Sequence, residues 1–133
     1  MTTDEISNSS FLIVDDDDFS LEVMRNVLVN LGATRISSAM DGDTAIRLAQ
    51  QLRPDFILLD IYMPDTDGWA VLDQLRQVLP QVVVVMVTGS VLPGDFTKSM
   101  DHRVDGYCIK PVSPEIMHKT LASARQRRFG ARR

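Results

Sequence analysis

Cysteine is almost absent from the sequence. Cys108 stands alone, which excludes a disulfide framework and a cysteine-based metal knuckle; its apolar surroundings predict a buried, inert thiol. Long hydrophobic runs are missing too. The longest, VVVVMV before Thr88, is far too short to span a bilayer, and FLIV after the polar leader MTTDEISNSS is too short for a signal-peptide core. There is no surplus of positive charge: the net charge is −4, which argues against a generic nucleic-acid binder. Histidine is scarce, and His102 and His118 lack metal-like spacing and are expected in solvent. No repeat is visible. A chain of 133 residues fits one domain that buries roughly two-thirds of its unfolded surface. Together these features predict a soluble cytoplasmic protein.

What is present is a regular alternation of apolar runs and helical patterns. FLIV reads as a buried strand ending at Asp15, Asp16, Asp17 and Asp18. Leu21, Met24, Leu28 and Leu31 follow at helical spacing, an aspartate before Phe19 caps the start, and Gly32 suits the position past the end. Thr34 to Ala39 reads as a weaker strand. Asp41 and Gly42 form a turn, and Ala45, Leu48, Ala49 and Leu52 mark a helix that must end before Pro54. FILL then runs into Asp60, and the PDTDG cluster stops it, with Asp65 and Asp67 shaping the turn. Val71, Leu72, Leu75, Val78 and Leu79 give a third helix, with Trp69 packed just inside it, and Pro80 ends it. VVVVMV is a strand buried on both faces. From Asp95 to Arg103 only Phe96 and Met100 are strongly apolar, so a short or irregular helix is expected. Tyr107, Cys108 and Ile109 form a last strand ending at Lys110. Ser113 caps a final helix with Pro114 at its first position and Ile116, Met117, Thr120, Leu121 and Ala124 as its buried face.

Strands alternating with helices imply an α/β fold, a doubly wound parallel sheet of five strands. Such folds bind ligands outside the carboxyl ends of the strands. The residues predicted there are Asp15 and Asp16, Asp60, Thr88 and Lys110. A carboxylate at the end of a buried strand is costly without partners, and clustered carboxylates repel unless a cation relieves them. A divalent ion such as Mg2+ does so, bound by one or two carboxylates, waters and phosphate oxygens. Lysine and threonine suit phosphoryl oxygens, so Asp60 is a credible nucleophile toward a phosphoryl group.

The motifs LIVDD, LLDIYMPDTDG, VTGS and YCIKP occur in this order, and on them the chain, from about Phe11 to Ala124, resembles the receiver domain of two-component response regulators. The resemblance implies a flavodoxin-like (βα)5 fold with strand order 2-1-3-4-5. It divides the chain into a disordered leader (1–10), the receiver (11–124) and a basic tail (125–133). It implies that Asp60 is the phosphoacceptor, that Asp15 and Asp16 hold Mg2+ with Asp60 and the Tyr62 carbonyl, and that Thr88 and Lys110 bind phosphoryl oxygens. Tyr107 matches the aromatic switch residue coupled to Thr88, and the Lys110–Pro111 bond is expected to be cis. The chain departs from the family's usual residues at Gly89, Thr66 and Arg103-Val104. Implied partners are a histidine kinase or phosphotransfer protein, a downstream output protein and, as a further option, a phosphorylation-dependent homodimer. The chain would then be a switch rather than a turnover enzyme.

Plainer readings stand beside these. Asp17 and Asp18 suit a solvated helix cap. The tail ARQRRFGARR reads as a solvated helix end, with nucleic acid or an anionic membrane as the less favoured alternative. The short stretch after Ala124 leaves either a stand-alone receiver or a fragment of a longer regulator with a DNA-binding or enzymatic output domain. A phosphohydrolase using the Asp15-x-Asp17 spacing would need a cap or a second acid pair late in the chain. A flavin module would need a phosphate-binding loop where the four aspartates stand.

Overall fold

The computed structural model describes residues 1–64, 66–89 and 92–130. Asp65, expected to shape a turn, lies outside them, as do Ser90 and Val91 of the GSVLPG loop and the last three residues of the tail. Five strands form one parallel sheet: β1 (Ser10–Val14), β2 (Arg35–Ala39), β3 (Phe56–Leu59), β6 (Val83–Thr88) and β7 (Gly106–Ile109). Their spatial order is β2-β1-β3-β6-β7, the expected 2-1-3-4-5 when only these strands are counted. Two short strands, β4 (Tyr62–Met63) and β5 (Thr66–Asp67), pair antiparallel beside it. The helices are α1 (Thr3–Ser7), α2 (Asp18–Asn30), α3 (Gly42–Leu52), α4 (Gly68–Val78), α5 (Pro93–Asp101) and α6 (Pro114–Phe129).

The sheet is covered on both faces because its strands are apolar on both. Phe11 and Ile13 of β1 pack with residues of α2 and α6, such as Leu28, Met117 and Leu121. Leu12 and Val14 face the opposite cluster, which includes Ala45 and Ala49 of α3 and Leu72 and Leu75 of α4. This two-sided burial is what near-continuous apolar strands demand. The helix starts follow local chemistry: Asp17, Asp41, Asp67 and Ser113 each accept a hydrogen bond from a first-turn N–H. Gly32, at φ 108°, takes the left-handed position after α2. The Lys110–Pro111 bond is cis. No helix among the described residues is long and apolar enough to cross a membrane.

Several expectations need correction. The leader contains helix α1, closed by a capping box between Thr2 and Glu5, and its Ile6 is 1 % exposed in the core. One buried isoleucine and a reciprocal cap suffice to order a single turn. The tail does not begin at 125, since α6 continues to Phe129. Among its described arginines, Arg125 pairs with Glu5 at 2.6 Å and Arg128 with Asp105 at 3.1 Å. The helix after Pro93 is short, as expected, with nine residues; its apolar pair Phe96 and Met100 is exposed, and only Ser99 of α5 is buried. Ile116 is exposed as well. Neither histidine stands apart in solvent. His102 bonds Asp73 at 2.9 Å and lies against Trp69, while His118 meets the Met1 carbonyl oxygen at 2.6 Å.

The departure at Arg103 has a structural meaning. Arg103 has φ 59°, the left-handed region that favours glycine, so a glycine there would be the less strained residue.

Candidate functional site

The parallel sheet carries its polar strand ends to one edge. Beyond β1 and β3 the backbone ladder continues: Asp15 N–H donates to the Ala39 carbonyl at 3.1 Å and Asp60 N–H to the Val14 carbonyl at 2.9 Å. Both acids are thereby fixed as extensions of buried strands, and both are buried themselves, at 3 % and 7 % exposure. Lys110 N–H donates to the Thr88 carbonyl at 2.8 Å, which sets the lysine beside the end of β6.

The Lys110 ammonium bridges the two acids. Its Nζ donates to Asp15 Oδ2 at 2.6 Å and to Asp60 Oδ2 at 2.9 Å, and to Ser20 Oγ at 3.2 Å. Burial pulls the ammonium's pKa down, but the hydrogen bonds to Asp15 and then Asp60 outweigh it, and the pKa lies above its ordinary value. Lys110 therefore stays charged across the neutral range. The second oxygens are also engaged. Asp15 Oδ1 accepts from Asp17 N–H at 3.0 Å, and Asp60 Oδ1 accepts from Tyr62 N–H at 2.9 Å. Two buried carboxylates share one cation, with half-buried Asp16 next in sequence, so the site holds more negative than positive charge.

The structure thus brings Asp15, Asp60 and Lys110 into direct contact, with Asp16, Thr88 and Tyr62 around them. Thr88 is buried at the end of β6. Tyr107, half-buried on β7, stacks edge-on with Phe96 at 5.4 Å. Asp17 does not join the acids; its carboxylate caps α2 and accepts from Ser20 Oγ at 3.1 Å, as the plainer reading expected.

Two features escaped the sequence reading. Ser20 touches Lys110, and its only signal was a place in the first turn after an acidic loop. Gly68 is required by packing, because a Cβ there would overlap the backbone of Ile61, the residue after Asp60. It lets the start of α4 lie against the loop that carries Asp60.

The oxygen donors offered by Asp15, Asp16, Asp60 and the Tyr62 carbonyl have the hard character that Mg2+ takes. Among the described residues no three acidic, histidine or cysteine side chains form a ready-made metal cage. A preformed cage is not needed for an ion that keeps several waters and uses one or two carboxylates.

Comparison with known proteins agrees with this geometry. Residues 11–122 match the family model described as the response regulator receiver domain. The chain is 34 % identical over 123 residues to the transcriptional regulatory protein PrrA of Mycobacterium leprae, covering 92 % of this chain and 52 % of that protein. It is 31 % identical over 125 residues to the alkaline phosphatase synthesis transcriptional regulatory protein PhoP of Bacillus subtilis, covering 93 % and 52 %. It spans about half the length of each of these two relatives. Among solved structures, the chemotaxis protein CheY4 of Vibrio cholerae superposes with a TM-score of 0.79 at 26 % identity, over 87 % of this chain and 98 % of that one. With a family match over most of its length, the chain belongs to the response regulator receiver domains.

Proposed function

We propose that Asp60 accepts a phosphoryl group from a histidine kinase or phosphotransfer protein, and that the phosphorylated form signals by binding a downstream output protein. The observation that carries this reading is the Lys110 ammonium held between the buried carboxylates of Asp15 and Asp60. In the transfer, an Asp60 oxygen forms a bond to phosphorus while the bond from phosphorus to the donor breaks, and the leaving group keeps the electron pair. Lys110 neutralises charge on the phosphoryl oxygens, and Thr88 offers them a hydroxyl donor. Asp15 and Asp16, with Asp60 and the Tyr62 carbonyl, would hold Mg2+, which supplies charge neutralisation for phosphoryl transfer when bound. Thr88 and Tyr107 form the switch pair through which the new charge biases the surface.

Asp60→Asn abolishes phosphoryl incorporation from acetyl phosphate on this reading, measured by intact mass with Mg2+ present. Full incorporation in the variant would refute the assignment. A second reading, a receiver within a longer regulator, is favoured by relatives roughly twice as long and named transcriptional regulatory proteins. The mass of the native protein in its own cells decides between them. The hydrolase reading loses support because Asp17 is committed to the α2 cap.

A further inference from the structure

Tyr62 is held at two points. Its backbone N–H donates to Asp60 Oδ1 at 2.9 Å, and its phenol hydroxyl donates to Asp95 Oδ2, in the first turn of α5. The ring is 51 % exposed, so burial does not account for its placement, whereas a hydrogen bond to a carboxylate is a strong one. Helix α5 needs such holding. Its N-cap residue, Leu92, gives no side-chain cap, Ser99 is its buried residue, and Leu92, Phe96 and Met100 are exposed. Little apolar packing fixes it to the sheet, which is the signature of an element that opens at low cost.

The same turn of α5 reaches the switch strand. Phe96, next to Asp95, meets Tyr107 edge-on. The Tyr107 phenol is pushed above its ordinary pKa by burial, then by the negative field of Asp95 and of Asp60. The first turn of α5 therefore senses the acceptor from two sides.

We propose that Tyr62 is a positioning residue: it tethers α5 to the acceptor loop through Asp95, and phosphorylation of Asp60 loosens the tether. The inference rests on the acceptor role of Asp60. A phosphorylated Asp60 is an acyl phosphate, whose uncharged carbonyl oxygen is a weaker acceptor for the Tyr62 N–H than the carboxylate is. A switch shifts only through contacts that differ between its two forms, and the bond from the Tyr62 N–H to Asp60, at the base of the tether, differs in this way. This route reaches α5 without passing through Thr88.

The test is amide hydrogen exchange of α5 in the full chain, with and without beryllofluoride and Mg2+. In the wild type, beryllofluoride speeds α5 exchange by roughly tenfold, about the factor one hydrogen bond to a charged group is worth. Tyr62→Phe and Asp95→Ala each show this faster exchange before beryllofluoride is added, while α6 is unchanged. Combining them gives less than the sum of the two effects, because both variants remove the shared Tyr62–Asp95 bond. Asp95→Asn keeps an acceptor and stays nearer the wild type. Wild-type exchange in α5 of both Tyr62→Phe and Asp95→Ala, or fully additive effects, would overturn the tether. A wild type whose α5 is indifferent to beryllofluoride, although acetyl phosphate labels Asp60, overturns the loosening; absence of labelling counts against the acceptor role of Asp60, and the comparison without beryllofluoride still decides the tether.

Discussion

Two buried clusters of charge lie at opposite edges of the sheet, and they are built on opposite balances. At the amino edge of β7, Asp105 is a single acid among cations. Its Oδ2 accepts from Arg76 Nη2 at 2.8 Å, Val84 N–H at 2.9 Å and Arg128 Nη2 at 3.3 Å, and its Oδ1 accepts from Arg128 Nε at 3.1 Å. Arg76 also donates to the carbonyls of Val82 and Arg103. At the carboxyl edge two buried acids share one ammonium. The arginine cluster links β6, β7, α4 and α6, and its acid is fully engaged by rigid guanidinium forks. The lysine cluster joins through a compact, flexible point charge and keeps an unmet demand for cations. One edge is closed and structural, while the other carries the proposed site for a further cation and a phosphoryl group.

The contrast breaks first at Asp105. Asp105→Ala strands two half-buried guanidiniums and the buried Val84 N–H, and should cost about 3 kcal/mol in denaturant unfolding. Asp60→Asn removes one of two mutually repelling acids and should unfold at or above the wild-type denaturant midpoint. If Asp60→Asn proves the more destabilising of the two, the division of labour between the edges is wrong.

The next effect is smaller and falls on the acceptor loop. Gly68→Ala drives a methyl group into the Ile61 backbone, and overpacking of this kind costs about 1–3 kcal/mol. Because the loop carries Asp60, the rate of labelling by acetyl phosphate should fall along with stability. A fall in stability without a fall in rate would mean that Gly68 serves packing alone.

The smallest effect concerns a third, exposed ion pair, between Glu5 of α1 and Arg125 of α6. Hydrogen bonds from the Thr2 backbone and from Arg125 hold the Glu5 carboxyl at about 2, against 4.5 ordinarily. A folded-state pKa below the unfolded one stabilises above pH 4.5, and the contribution is lost as pH falls from there toward 2. Glu5→Gln should therefore flatten the stability-versus-pH curve between those limits, read from denaturant midpoints. An unchanged slope would show that α1 is held by Ile6 and not by the ion pair.

Much of this was legible in the sequence because it depends on local rules. Apolar strands ending in Asp15, Asp60, Thr88 and Lys110 specify a parallel sheet with a polar edge, and Ser113-Pro114 marks a helix start. What stayed hidden depends on long-range contact. No spacing links Arg76 to Asp105, Arg125 to Glu5 or Tyr62 to Asp95, since each pair meets only once the layers are assembled. Helix α1 did carry a local signal, the Thr2-x-x-Glu5 capping box, but its single apolar residue gave no period to read. Helix α5 gave a poor pattern because it is exposed over most of its surface, so its sequence was never constrained to a core-facing stripe.

The central claim is that the carboxyl edge does the chemistry through one carboxylate. Intact-mass measurement of the wild type, Asp60→Asn and Asp105→Asn after acetyl phosphate and Mg2+, in conditions where all three are folded, tests it most directly. One phosphoryl group on the wild type and on Asp105→Asn, with none on Asp60→Asn, is the predicted result. Equal labelling of Asp60→Asn, or no labelling of the wild type, would contradict it.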